Sequence, residues 1–594
     1  MQHEHIIGID LGTTNSEVAV VLDGRPVVLG DPGETILPSV VGLDAQGRLL
    51  VGKAARNQLA LAPDRTIRSI KRRMGHETTV PLGDQRLTPQ EVSAIILKTL
   101  KERAERALGT AVTRAVITVP AFFNDGQRQA TRQAGELAGL EVVRIINEPT
   151  AAVLTYNPHP PEQEQLLVYD LGGGTFDVSI ARVENGVVEI QSSHGDAQLG
   201  GDDFDQLLLD LVRDRFLDQT GVDLSQGAAS RARVLRAVEA AKERLSFESV
   251  AVIEEEFIAE RDGRPLNLVM DLARGDYEAL IAPLLQRTLD CVDRALEDAR
   301  LDARRISKVI LVGGATRTPL VKSMLEERLG RPVHGEIEPD LAVAMGAAVQ
   351  GALIAGVNVG PILIDITPHS LGISALGPID GAPSPFRFST IIPRNTPLPA
   401  SRSEVYTTVL DDQEAARIAI FQGEDRDSRR NAFVGDFLIE GLANAPAGNQ
   451  VLVKLDLDLS GILKVTARER ATGLAREVVI ESAAERFRMQ ERSDAVDRLE
   501  AVFASRPRAD QGDHPVPATA LGAARASTLR QALESAQALA RKAAAILPSA
   551  SAENAAELRQ LLATLDAVLE RQVEDEIRAI AREVEDLVFY LEDV

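Results

Sequence analysis

The sequence predicts a multidomain protein: a two-lobed α/β domain at residues 1–360, a linker at 361–365, an antiparallel β-domain at 366–481 and a helical tail at 482–594. Three observations carry that prediction. β-like runs alternate with long helical patterns as far as about residue 360, which is the layering of an α/β fold. The stretch IGIDLGTTNS (7–16) returns once, as DLGGGTFDVS (170–179), as duplicated lobes require. The composition then shifts to short alternating strands, and finally to Ala-, Leu- and Glu-rich helical sequence.

In the first region IIGID (6–10), AVITVP (115–120), LLVYDLG (166–172) and KVILVGG (308–314) read as strands, with helices at 89–108, 230–246 and 276–300. PILIDITP (361–368) sets two prolines around Ile362, Leu363 and Ile364 and closes the region. In VLVKLDLDLSGILKVTARE (451–469), Val451, Val453, Leu455, Leu457 and Leu459 fall on one strand face. Ser460-Gly461 then offers a turn before Leu463, Val465 and Ala467 resume the alternation. Val496, Leu499, Val502 and Phe503 share a helical face. SRPRADQGDHPVPA (505–518) breaks that helix with three prolines and a glycine, and helices resume from about 524 to 592.

A chain of 594 residues is too long for one core and suggests about four folding units. The net charge of −23 argues against nucleic acid or an anionic membrane surface as partner, since a polyanion is repelled at long range. The single cysteine, Cys291, excludes an intramolecular disulfide and a cysteine-based zinc site, and its apolar helical setting reads as a small buried hydrophobe. No early stretch resembles a signal peptide, and no run of about 20 apolar residues would span a bilayer. The expectation is a soluble protein of a reducing compartment, the cytoplasm.

A strand that runs into a glycine turn brings backbone N–H groups together in an anion-binding nest, because glycine lets the backbone approach oxygen closely. One such turn also fits an ordinary hairpin. Two copies suggest lobes that face each other across a ligand. Gly200-Gly201 in LGGDDFD and Gly313-Gly314 in ILVGGATR stand at further element boundaries, the second after a strand and opening a helix. Singly each is a turn; four together favour a nucleotide held between two halves. Asp10 and Asp170, at strand ends, suit Mg²⁺ held through its water shell, since that cation dehydrates reluctantly. No G-x-x-x-x-G-K-[ST] phosphate loop occurs.

The motifs IGIDLGTTNS, IKRRMG (70–75), VPAFFNDGQRQATRQAGELAGLEVVRIINEPTAA (119–152), DLGGGTFDVS, GGDDFD (200–205), LVGGATRTP (311–319), PDLAVAMGAAVQG (339–351) and ITPHSLGI (366–373) follow one another in this order. On them the chain resembles the 70-kDa heat-shock (DnaK-type) chaperone family over nearly its whole length. A shortened first lobe and helical tail look most like the HscC-type branch. The resemblance implies an actin-like two-lobed ATPase domain, an antiparallel β-sandwich that binds peptide and an α-helical lid, with ATP/ADP, Mg²⁺ and K⁺ as cofactors.

By that resemblance Gly12, Thr13, Thr14 and Asn15 form the first phosphate loop, and Gly172, Gly173, Gly174 and Thr175 the second. Lys71 matches the lysine that reaches the γ-phosphate and attacking water, although alone it reads as solvated in a basic cluster. Glu148 matches the carboxylate that positions water and metal, Asp10 and Asp170 the metal-water ligands, and Thr175 and Asp177 the K⁺ contacts. Glu239, Lys242 and Ser246 lie on one helical face. They match adenosine contacts, in a pocket completed by Gly200, Gly201, Gly313, Gly314, Arg317 and Asp340.

In the β-domain Ile373, Tyr406, Ala416 and Ile418 resemble the central peptide pocket, and Leu376 and Val409 the arch over the peptide backbone. Leu363 belongs to the linker that couples the domains. Pro120 and Arg128 match the relay toward it, and Arg144, Asn147 and Asp365 the surface met by a J-domain cochaperone. The short segment between Lys71 and Pro120 leaves use of a GrpE-type exchange factor open, and the break at 505–518 predicts weak trapping of a client. The expected function is an ATP-dependent molecular chaperone that binds unfolded polypeptide through exposed hydrophobic segments. The alternatives are a regulatory or nucleotide-exchange module with a vestigial ATPase and, less favoured, a metabolite kinase.

Overall fold

The computed structural model describes residues 5–506 apart from 32–33, 156–162, 334–338, 358, 444 and 480–488, together with parts of 533–584. It divides into two compact units. One comprises Met1–Val28, Ile36–Ala104 and Val112–Gly512; the other comprises Leu29–Thr35, Glu105–Ala111 and Asp513–Val594.

The first unit holds two sheets of matching topology. In one, Glu141–Asn147, Arg114–Val119, Ile6–Leu11, Asn15–Leu22 and Arg25–Leu29 are neighbours in that order, the last four corresponding to Lys308–Val312, Glu164–Leu171, Phe176–Glu184 and Val187–Asp196 in the other. Each has a central antiparallel hairpin, with Asp10 opposite Glu17 in the first and Asp170 opposite Asp177 in the second. In each, the hairpin's first strand also pairs in parallel with the next strand out. The motif repeat in the sequence is therefore a repeat of topology.

Two helices of small residues, Glu148–Thr155 and Ala342–Ile354, join the sheets. A methyl group on Gly346 would lie 1.7 Å from the Ala151 carbonyl oxygen, and one on Gly8 2.1 Å from the Ala348 nitrogen. Glycine at these points lets backbone pack directly on backbone. One apolar cluster, including Ile6, Val116, Ala151, Val168, Ile310, Val343 and Ala347, then runs through both sheets. The second sheet has its own larger cluster, in which Cys291 is buried.

The β-domain comprises two four-stranded antiparallel sheets. Their inward residues, among them Ile373, Ile418, Ile420, Val453, Leu455 and Val465, form one core. The alternation predicted for 451–469 holds with one correction. Leu459 is exposed, because the strand Gln450–Leu457 ends two residues earlier and Leu459 belongs to the turn. The helix Met489–Ala504 buries Ala495, Leu499 and Val502, whereas Val496 faces outward at 36% exposure, so the buried face is rotated from the predicted one.

That helix lies against the helix Pro89–Leu108. Arg498 donates to the fully buried Glu91 at 2.6 Å, Arg506 to Thr99 at 2.8 Å, and Lys98 sits 4.0 Å over the Phe503 ring. The helix ends at Ala504, as the proline-rich stretch predicts; residues 507–518 of that stretch, and the 481/482 boundary, lie outside the described residues. In the second unit Ala552–Arg571 is helical, and Ala536, Leu558, Leu565 and Val568 share an apolar cluster. No described helix is long and apolar enough to cross a membrane.

Candidate functional site

The two hairpin turns meet. A side chain on Gly173 would strike Thr14 Oγ1 at 1.9 Å, one on Gly174 would strike Thr13 Cγ2 at 2.7 Å, and one on Gly200 would strike Gly173 itself at 2.5 Å. Glycine is needed because three turns crowd into one point, where they line a cavity of about 450 Å³. Into it the fold brings Asp10, Gly12, Thr13, Thr14, Asn15, Lys71, Glu148, Asp170, Gly172, Gly173, Thr175, Gly201, Glu239, Lys242, Ser246, Gly313, Gly314, Arg317 and Asp340. Residues scattered from 10 to 340 in the sequence thus share one cleft. Gly174 and Gly200 support its wall. Gly313 and Gly314 open a 3₁₀ turn, not the α-helix expected from sequence, which starts only at Pro319.

Lys71 is buried and forms an ion pair with Glu148. Burial pulls the ammonium down, but Glu148 and Asp10 outweigh it and hold Lys71 above its ordinary value. The solvated-lysine reading is thereby excluded. Enclosure pushes the carboxyls of Asp10, Glu17, Glu148, Asp170 and Asp177 up. Asp10, Glu17, Glu148 and Asp170 line the cleft, but among the described residues no three such groups converge to cage a bare ion, so a hard cation there would keep its water shell. Asp177 is not in the cleft lining; it accepts the N–H groups of Ala121 and Phe122 at 3.1 and 3.0 Å.

The other end of the cleft is laced by ion pairs. Lys242 Nζ lies 2.7 Å from Asp205, and Arg317 2.8 Å from Asp340. Arg68 pairs with Glu239 and, at 3.3 Å, with Asp202, which also accepts from Ser69 Oγ at 2.6 Å. Arg68, Asp202 and Asp205 were not anticipated. Their only signal was proximity in sequence to Lys71 and to Gly201.

The linker strand Ile362–Ile364 pairs in parallel with Val187–Glu189, extending the second sheet, and Leu363 packs against the shared core. Arg128 donates to the Ala121 carbonyl at 2.9 Å and to Asn147 Oδ1 at 2.6 Å. Asn147 in turn donates to Asp365 at 3.0 Å. Enclosure pushes Asp365 up, against the opposing pull of the Ile366 N–H, Arg128 and Arg144. A continuous hydrogen-bond chain therefore runs from Asp177, through the 120–123 loop, to the linker. Further bonds fasten the β-domain here: Arg394 to Asp298 at 2.7 Å, Gln422 to the Asp125 N–H at 3.0 Å, and His369 to the Phe122 carbonyl at 3.1 Å.

Of the predicted peptide-site residues, Ile373 and Ile418 are buried in the β-domain core. Tyr406 and Ala416 pack against its edge, with the Tyr406 hydroxyl bonded to Ser389 at 3.0 Å. Leu376 and Val409 are exposed and lie outside that cluster.

Two lobes of duplicated topology, closed on a cleft of paired glycine turns and hydrogen-bonded to an all-β domain, define a two-lobed cleft protein with an appended β-domain. The comparisons identify its family. The family described as Hsp70 protein matches residues 6–592. The proteins named chaperone protein DnaK in Thermotoga neapolitana and Thermotoga petrophila are each 44% identical over 486 residues, covering 80% of this chain and 80% of theirs. The chain belongs to the Hsp70 family and is an ATP-dependent chaperone with ATPase activity. A vestigial regulatory module is not favoured.

Proposed function

We propose that ATP in the cleft sets the affinity of the β-domain for apolar peptide segments, through the linker strand and the Arg128–Asn147–Asp365 chain. The observation that carries this reading is the linker paired into the second sheet while Asp365 is held by Asn147. It is the arrangement an ATP-favoured, domain-docked state requires. In this reading residues 1–360 are the nucleotide domain, 366–481 the peptide domain and 482–594 the lid.

Phosphoryl transfer to water needs positioning and charge neutralisation more than covalent chemistry. The N–H groups of the two glycine turns cradle phosphate oxygens, Lys71 meets the γ-phosphate, and Glu148 orients the attacking water, with Thr175 beside it. Asp10 and Asp170 would hold Mg²⁺ through its waters, and Thr175 with Asp177 would hold K⁺; bound, these ions neutralise phosphate charge. Glu239, Lys242, Ser246, Gly314, Arg317 and Asp340 hold the nucleoside.

Ile373, Tyr406, Ala416 and Ile418 form the floor of the peptide pocket, with Leu376 and Val409 arching over the peptide. Burying one client leucine there contributes roughly 1.5–3 kcal/mol, so many apolar segments qualify. Arg144, Asn147 and Asp365 are buried in the docked arrangement. A J-domain partner therefore gains access to them as the linker strand leaves its place. The shortened first lobe and helical tail support placing the chain in the HscC-type branch.

A labelled apolar peptide tests the reading. Its dissociation is expected to be about 5–150-fold faster with ATP than with ADP, the range of ordinary coupling energies. Leu363→Asp is expected to erase that difference while ATP still binds. Equal dissociation with both nucleotides in the unaltered protein would remove the coupling.

A further inference from the structure

We propose that Glu17, together with Asp10, forms a cation site in the first lobe that takes a hydrated divalent ion even without nucleotide; this rests on the nucleotide-cleft reading above. The lobes repeat one pattern. Glu17 stands seven residues after Asp10, as Asp177 does after Asp170, and each pair is opposed in register across its hairpin. Opposed residues of antiparallel strands share one face of the sheet. The Glu17 side chain therefore emerges beside that of Asp10.

What differs between the lobes is how the second acid's charge is met. Asp177 accepts two backbone N–H groups. Glu17 is only 2% exposed and lines the cleft, yet no described residue donates a hydrogen bond to it. Asp10 commits one oxygen to Thr118 Oγ1 at 2.8 Å, and Lys71 is held by Glu148. Two adjacent carboxyls thus face the cleft; the Lys71 ammonium attracts both but is bonded to Glu148, and among the described residues no cation is bonded to Glu17. An enclosed carboxylate without a partner is unfavourable, and a hard divalent ion is the ligand that meets two oxygens and keeps its waters. Among the described residues no three acidic or histidine side chains converge to cage a bare ion. The ion is therefore held through its water shell.

The test titrates the nucleotide-free, full-length protein with Mn²⁺, following the EPR signal of free Mn²⁺. One ion is expected to bind, and Glu17→Gln to weaken it at least about tenfold, as loss of a group that supports a metal typically does. Glu17→Asp, which keeps the charge, is expected to retain more affinity than Glu17→Gln. Failure of the unaltered protein to bind Mn²⁺, or a Glu17→Gln affinity within about twofold of it, overturns the site. Fluorescent ADP binding, measured separately on the same proteins, checks that they are folded. It also separates the two claims: loss of ADP binding by the unaltered protein would sink the nucleotide cleft, not the cation site alone.

Discussion

The nucleotide cleft and the β-domain put opposite kinds of residue to use. In the cleft the proposed roles fall on buried polar groups such as Lys71 and Glu148, which no core would hold without reason, since an unpaired charge in that position is costly. In the β-domain the proposed peptide pocket falls on Ile373 and Ile418, which the fold also needs as core. The contrast teaches that a polar site betrays itself by its expense, whereas an apolar site hides inside the packing.

The strongest way to break that contrast is at Lys71. Lys71→Ala is expected to lower single-turnover hydrolysis by about 10²–10³-fold, the scale of losing one charge-stabilising group, while fluorescent ATP still binds. Turnover close to that of the unaltered protein would take Lys71 out of the chemistry.

Next comes Ile418. If it is core, Ile418→Ala should destabilise the β-domain by about 2–5 kcal/mol in a denaturant melt, the cost of a buried cavity. The exposed pair gives the sharper comparison, because Leu376→Ala and Val409→Ala should stay within about 0.5 kcal/mol of the unaltered protein in that melt and yet weaken peptide binding. Weakened folding and unweakened peptide binding in those two variants would remove them from the arch.

The smallest effect lies at the junction of the two regions. His369 is held at about 4 by burial beside Arg128, His194 and Arg394, and only the Phe122 carbonyl it bonds favours its charged form. A free histidine titrates near 6.5. The docked arrangement thus binds fewer protons at this site than the released one. The contribution of His369 to docking is complete above about 6.5 and is lost as pH falls toward 4. Asp125, raised by burial to about 7, works in the opposite direction, favouring the docked form as pH falls below 7. Hydrogen exchange at the Ile362 amide, bonded to the Gly186 carbonyl at 2.9 Å, isolates the histidine when unaltered protein and His369→Leu are compared at pH 7.5 and 5.5. Protection should fall more in the unaltered protein; an equal fall in both would clear His369 of any part in docking.

Element positions were largely legible because periodicity is local. The helix predicted at 89–108 is Pro89–Leu108, and the strands at 6–10 and 166–172 lie within two residues of those observed. Leu459 misled because alternation alone cannot say where a strand stops and its turn begins. The phosphate turns were legible because glycine at a crowded backbone contact leaves a mark in the sequence. Arg68, Asp202 and Glu17 were not, since an arginine or carboxylate looks the same on a surface as in a cleft.

By itself the sequence determined the duplicated lobes, the β-domain and the identity of many of the residues that line the cleft, because motif and period depend on neighbours along the chain. Only the tertiary structure decided that Lys71 is buried against Glu148, that Asp365 closes a chain of bonds to Arg128, and that Ile362–Ile364 joins the second sheet. Those outcomes depend on partners tens to hundreds of residues away, and it is folding that brings them within reach.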